Sequence, residues 1–241
     1  MNTPPDPDSV YAAWARLGFV FRAQAARETP DIERLLLDTA RLASSHSRIF
    51  YGAITWLSEW WAAVARLRLR QLIAEELEPE FHPVIGLLLE EACRLSRNHR
   101  DLLEAVRACK PAATPGPLFA VDKATPALAK IAKTEASPAS LKWGCWAPAA
   151  EYKGEAMASV AGVLNDNPSL IESTVRRGDL RASILVSLRH QSQPSESSLA
   201  RHLHVNRIAV RSSLDALETE GIFLRHREKG RKSWAIRAQV R

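Results

Sequence analysis

The sequence predicts a mainly α protein: an N-terminal helical bundle, then a C-terminal module of three helices and a β-hairpin. Three observations carry this. Apolar residues recur at spacings of three and four from residue 10 to about residue 108. That period fades over residues 110–153, which hold six prolines (111, 115, 117, 126, 138 and 148) and six of the eight lysines. From Leu180 the helical period returns, and near the end it gives way to alternation around Leu224 and Trp234.

Residues 1–9, with three prolines among polar groups, are expected to be a disordered start. Residues 10–109 are expected to bundle around one core. Tyr11, Trp14, Leu17 and Val20/Phe21 form a first stripe. Ile32, Leu35, Leu36, Thr39 and Leu42/Ala43 form a second, after a helix start at Thr29-Pro30-Asp31. A tryptophan-rich helix follows and should run to near Glu78–Pro79. Its residues 49–65 are apolar enough to suggest a membrane span. The run is short, however, and contains Glu59. Ile49, Phe50, Ala53, Ile54, Leu57, Trp60/Trp61, Val64 and Leu67 fall on one side, with Arg48, Thr55, Glu59, Arg66 and Arg70 mainly on the other. This is the pattern of a core helix, with a dimer seam as the other use of its tryptophans. Two more helices follow, over FHPVIGLLLEEACRLSR and from residue 98 or 99 to 108. The pairs Glu75–Glu76 and Glu90–Glu91 read as solvated faces or salt-bridge partners.

Residues 110–155 read as a proline- and lysine-rich connection, partly ordered, with a short helix at 126–133. Its segment Leu-Lys-Trp-Gly-Cys-Trp (141–146) is too apolar to stand in water unused. Packing on the body, an effector pocket and a partner contact remain open for Trp143 and Trp146. Residues 156–178 supply connecting helices, one at 156–164 and one opened by Asn167 and Pro168 and ended by Gly178.

Residues 179–241 form the C-terminal module. Leu180, Ile184, Leu185 and Leu188 line its first helix, and residues 191–194 break it. Ser195 caps a short second helix with Leu199, Ala200 and Leu203 inward; the small Ala200 lets the next helix cross closely. Asn206 caps the third, whose Val210, Leu214 and Leu217 lie at i, i+4 and i+7 and so mark the buried stripe. Ile208, Arg211 and Ser212 then point outward, with Arg207 on the flank. Gly221 ends the helix. The hairpin that follows turns through residues 228–232, where Lys229, Arg231 and Lys232 surround Gly230, and Arg225 and Arg227 precede the turn. Cations around a glycine suit phosphate or minor-groove contact.

The run SLARHLHVNRIAVRSSLDALETEGIF and the basic hairpin after it resemble the winged helix-turn-helix of bacterial transcription regulators of the ArsR and MarR type. The resemblance covers about 60 of the 241 residues, and residues 1–175 resemble no family. It implies binding of double-stranded DNA, usually as a dimer, with the third helix in the major groove. Asn206, Arg207, Ile208, Arg211 and Ser212 would then face the groove, where an arginine suits a guanine edge and Ile208 a thymine methyl.

Charge points the same way. Residues 176–241 hold 14 Lys/Arg against 6 Asp/Glu, while the rest of the chain is close to neutral. A compact basic module on a near-neutral body suits a polyanion. The three cysteines form no CxxC pair, and the start lacks a signal-peptide pattern, so a cytoplasmic location is expected. ArsR-type regulators often sense metals, and His190, His202, His204 and His226 lie in the module, but no cysteine joins them. No metal or other cofactor is therefore expected. No GxGxxG, P-loop or GxSxG occurs, so no enzyme is expected. The expectation is a dimeric DNA-binding transcriptional regulator, a repressor rather than an activator, with no membrane partner and a small-molecule effector left open. The alternative is a protein-interaction or non-specific nucleic-acid module in a larger assembly, such as a chromosome-associated or defence complex.

Overall fold

The computed structural model describes residues 5–96, 102–170, 180–190, 195–203, 205–219, 223–228 and 231–236, the last two segments and residues 182, 186, 189 and 190 by backbone alone. The protein is mainly helical, and no described helix is long and apolar enough to cross a membrane.

Helix α1 (Pro7–Arg16) begins inside the stretch expected to be disordered. The Asp6 carboxylate accepts from the Asp8 and Ser9 N–H groups, and Pro7 suits the first helical position. Trp14 is buried and donates from Nε1 to Thr39 Oγ1 at 2.9 Å. The helix stops at Arg16, so Val20 leaves the stripe and is exposed. Asp31 caps α2 (Ile32–Leu42), accepting from the Arg34 N–H.

Helix α3 (Ser47–Trp60) is the centre of the bundle, with Ile49, Phe50, Ala53, Ile54, Trp56 and Leu57 fully enclosed. Thr55, expected on the outer side, is buried too and returns its hydroxyl to the Tyr51 carbonyl at 3.2 Å. The tryptophan-rich helix does not continue to Glu78. It tightens into a 3-10 turn (Trp61–Ala63), becomes extended at Val64 and restarts as α4 (Arg66–Glu76). The break is held from outside: Glu33 Oε1 accepts from the Ala65 N–H at 2.7 Å, and Glu33 and Asp31 both bind the buried Arg68 guanidinium. With the helix direction changed, Leu67 is 61% exposed.

Helix α5 (His82–Leu95) packs along α3 and is buried on most sides. Glu91, expected on a solvated face or in a salt bridge, is 2% exposed. It accepts from Ser137 Oγ at 2.8 Å and the Ala150 N–H at 3.1 Å and pairs with Arg94, so it pins residues 137–150 to the bundle. A short α6 (Leu103–Val106) lies against α4 and α5.

The connection is more ordered than its composition suggests. It contains α7 (Ala120–Lys123), α8 (Pro126–Thr134), α9 (Pro138–Trp143) and a short parallel pair, β1 (Gly116–Pro117) with β2 (Cys145–Trp146). Thr125 and Ser137 cap α8 and α9, and Pro126 and Pro138 take the first helical positions. Pro126 opens the short helix expected there, and Pro138, read as a loop marker, opens another. Gly144, at φ 70°, ends α9 in the left-handed conformation and turns the chain into β2. Helix α10 (Val160–Asp166) starts later than expected because Ser159 caps it. Asn167 is buried, with Nδ2 donating to the Arg16 carbonyl at 2.7 Å and Oδ1 accepting from the Thr29 hydroxyl.

The C-terminal residues have a separate apolar cluster. Ile184, Leu185 and Leu188 come from α11 (Leu180–His190), Leu199 and Leu203 from α12 (Glu196–His202) and its end, and Val210, Leu214 and Leu217 from α13 (Arg207–Thr219). Antiparallel strands β3 (Phe223–Glu228) and β4 (Arg231–Ile236) follow, in register from Phe223 opposite Ile236 to Glu228 opposite Arg231. The pairing reaches Arg231 and Lys232, so the turn is shorter than the five residues expected.

Candidate nucleic-acid interface

Helix α13 is amphipathic in the sense its sequence demands. Val210, Leu214 and Leu217 are fully enclosed against α11 and α12, which forces the opposite face into solvent. That face carries Arg207, Ile208, Arg211 and Ser212, all exposed, with Ile208 at 73%. Asn206 is exposed at the helix start, where its Oδ1 accepts from the Ile208 N–H at 2.7 Å. All five of these residues are exposed at the N-cap and in the first turns of α13, with Arg207 and Arg211 on its flank toward α12.

One partner was not read from sequence. Glu196, in the first turn of α12, accepts from Arg211 Nη2 at 3.0 Å and Nε at 3.3 Å, and from Arg207 Nε at 3.4 Å. Burial tends to raise the Glu196 carboxyl, but the hydrogen bond and charge of Arg211, joined by those of Arg207, outweigh it and hold the group below the usual glutamate range. The bond to Glu196, and its charge, push the Arg211 guanidinium above its usual value. The clamp fixes the two arginines four residues apart and ties α13 to α12. Residues 11 and 15 positions apart carry no local signal of such a contact.

Arg225 and Arg227 lie in β3, and Arg231 and Lys232 in β4, with Arg227 opposite Lys232. Lys229 and Gly230 lie outside the described residues, as do His204 and Gly221. The ladder places four of the expected cations on paired strands directly after α13.

Trp143 and Trp146 belong elsewhere. Trp143 is 5% exposed, its ring lies against Gly86 of α5, and its Nε1 donates to Glu90 Oε2 at 2.8 Å. A Cβ at residue 86 would stand 2.6 Å from that ring, so the glycine makes the packing feasible. Of the uses left open for Trp143, its side chain packs on the body, with Glu90 satisfying its one donor. Trp146 is partly buried, with Lys133 Nζ 5.2 Å above its ring.

A cleft of about 750 Å3 instead opens where the bundle meets the C-terminal helices, between α4 and α6 on one side and α11 and the start of α13 on the other. At its edge Arg68 Nε donates to the Leu203 carbonyl at 3.1 Å, capping the end of α12 from the bundle. No group of three or more His, Cys, Asp or Glu gathers among the described residues. Burial pushes the thiols of Cys93 and Cys109 up to about 12 and that of Cys145 to about 11, which keeps them protonated and poorly nucleophilic at neutral pH. No protein-family model, curated protein or solved structure matches this chain.

Proposed function

We propose that residues 179–241 are a winged helix-turn-helix that binds double-stranded DNA with sequence preference, and that the protein is a transcriptional regulator. The observation that carries this is the outer face of α13, with Arg207, Ile208, Arg211 and Ser212 exposed opposite a fully buried stripe. On this reading α12 crosses the backbone, α13 enters the major groove, and β3 and β4 are the wing, whose Arg225, Arg227, Lys229, Gly230, Arg231 and Lys232 meet phosphates. Arg211 reads a guanine edge and Ile208 a thymine methyl. One such module spans few base pairs, so two copies related by a two-fold axis supply the length of an operator. Repression is the simplest action, since occupancy of a promoter by a bound dimer is enough to block it.

A protein-interaction module is the competing reading. It draws on the exposed Ile208 and on Glu196, which offsets charge at Arg207 and Arg211. Titration of a labelled duplex at rising salt separates the two. A DNA binder making about six to eight phosphate contacts loses affinity by orders of magnitude between 50 and 200 mM salt. Weak binding with a shallow salt dependence would favour the interaction module.

A further inference from the structure

Helix α4 carries its charges in the order that its own dipole disfavours. Arg66, Arg68 and Arg70 stand in its first half and Glu75 and Glu76 at its end, whereas the macrodipole favours acids first and bases last. Arg68 is accounted for by Asp31, Glu33 and the Leu203 carbonyl. Arg70 is held less firmly. Arg70 meets Glu104 at 3.3 Å in an exposed pair, a kind of contact that contributes little stability. Arg107, just after α6, is exposed and has no ion-pair partner among the described residues.

Arg66, Arg70 and Arg107 line the same cleft as Asn206 and Ala209 of the α13 start, and Glu104 is the one carboxylate on that wall among the described residues. Ala209 is exposed, adjoins Ile208 and lies one turn before Ser212. The cleft wall that holds the half-buried Arg66 and the exposed Arg70 and Arg107 thus faces the start of α13 beside the proposed reading face.

We infer that Arg66, Arg70 and Arg107 form a second DNA-backbone contact, so that the helical body and the C-terminal module grip one duplex together. The inference rests on the DNA reading above. It gives the body a direct share in binding, beyond carrying the module. Guanidiniums suit the task because they bind phosphate without losing charge. The contacts are to phosphates, so they add affinity and set the angle of the duplex without adding base preference.

The test is the salt dependence of duplex binding by the full chain, read by fluorescence anisotropy. The variant is Arg66→Ala/Arg70→Ala/Arg107→Ala. The control, Lys123→Ala/Lys130→Ala/Lys153→Ala, removes the same charge from exposed positions outside the cleft. The slope of log affinity against log salt should become shallower by about two to three in the cleft variant and by less than about one in the control. Preference among duplex sequences should be the same in both. A cleft variant with the wild-type slope, or a control that loses as much, overturns the second contact while leaving the DNA reading intact. A wild-type protein that binds no duplex overturns the DNA reading and this contact with it. Should the triple variant fail to fold, Arg107→Ala alone carries the test, with an expected change of about one in slope.

Discussion

Arg211 and Glu196 are paired at the outer face of α13, the proposed reading face. Arg211 is presented by the pitch of α13 and held by Glu196 at 3.0 Å. If it reads a base, Arg211→Ala should weaken binding to the preferred site roughly ten- to hundredfold and relax the preference at one position. Equal loss on every duplex would show that it meets only phosphate. Glu196→Gln should release both arginines, tighten binding to unrelated duplexes and blur discrimination; anisotropy with preferred and scrambled duplexes reads both effects. The same variant has a pH signature. The folded-state carboxyl of Glu196 sits below its ordinary value of 4.5, so its contribution to stability is complete above that value and is lost as pH falls through the lowered one. Urea unfolding of Glu196→Gln should therefore fall less steeply than wild type below pH 4.5.

At the scale of elements, the sequence shows the helices through their periodicity and hides what stops them. The buried stripe of α13 follows from Val210, Leu214 and Leu217 alone, since spacing determines which face a helix buries. The break between α3 and α4 does not, because its cause is Glu33, about thirty residues earlier, bonding to the Ala65 N–H. Likewise the order of residues 137–150 comes from Glu90 and Glu91, whose partners are far along the chain. The exposed face of α13 was legible as local helical pattern; the clamp by Glu196 and the arginine-lined cleft were not, since tertiary packing creates them. Two substitutions test these assignments. Arg68→Ala leaves Glu33 buried without its cation and should cost about 3–5 kcal/mol in urea unfolding. It should also loosen α12, whose end Arg68 caps. Gly86→Ala sets a methyl into the Trp143 ring and should cost about 1–3 kcal/mol, with a red shift of tryptophan emission as the ring is displaced. A stable Gly86→Ala protein with unshifted emission would contradict that packing.

The whole molecule joins a bundle with its own core to a basic module with another, through Arg68 and the walls of clefts that both parts line. The charge is uneven on the same scale, with 14 of the 33 Lys/Arg in residues 176–241. A duplex bound along α13 and against α4 would satisfy both facts. Two copies on a two-fold axis would also match a palindromic site. The most direct measurement is selection from a random duplex library by the purified full chain at near-physiological salt. The account predicts an enriched motif with two-fold symmetry, its half-sites one helical turn, or a multiple of it, apart. Recovery of duplexes without any shared motif would contradict a sequence-reading role for the α13 face.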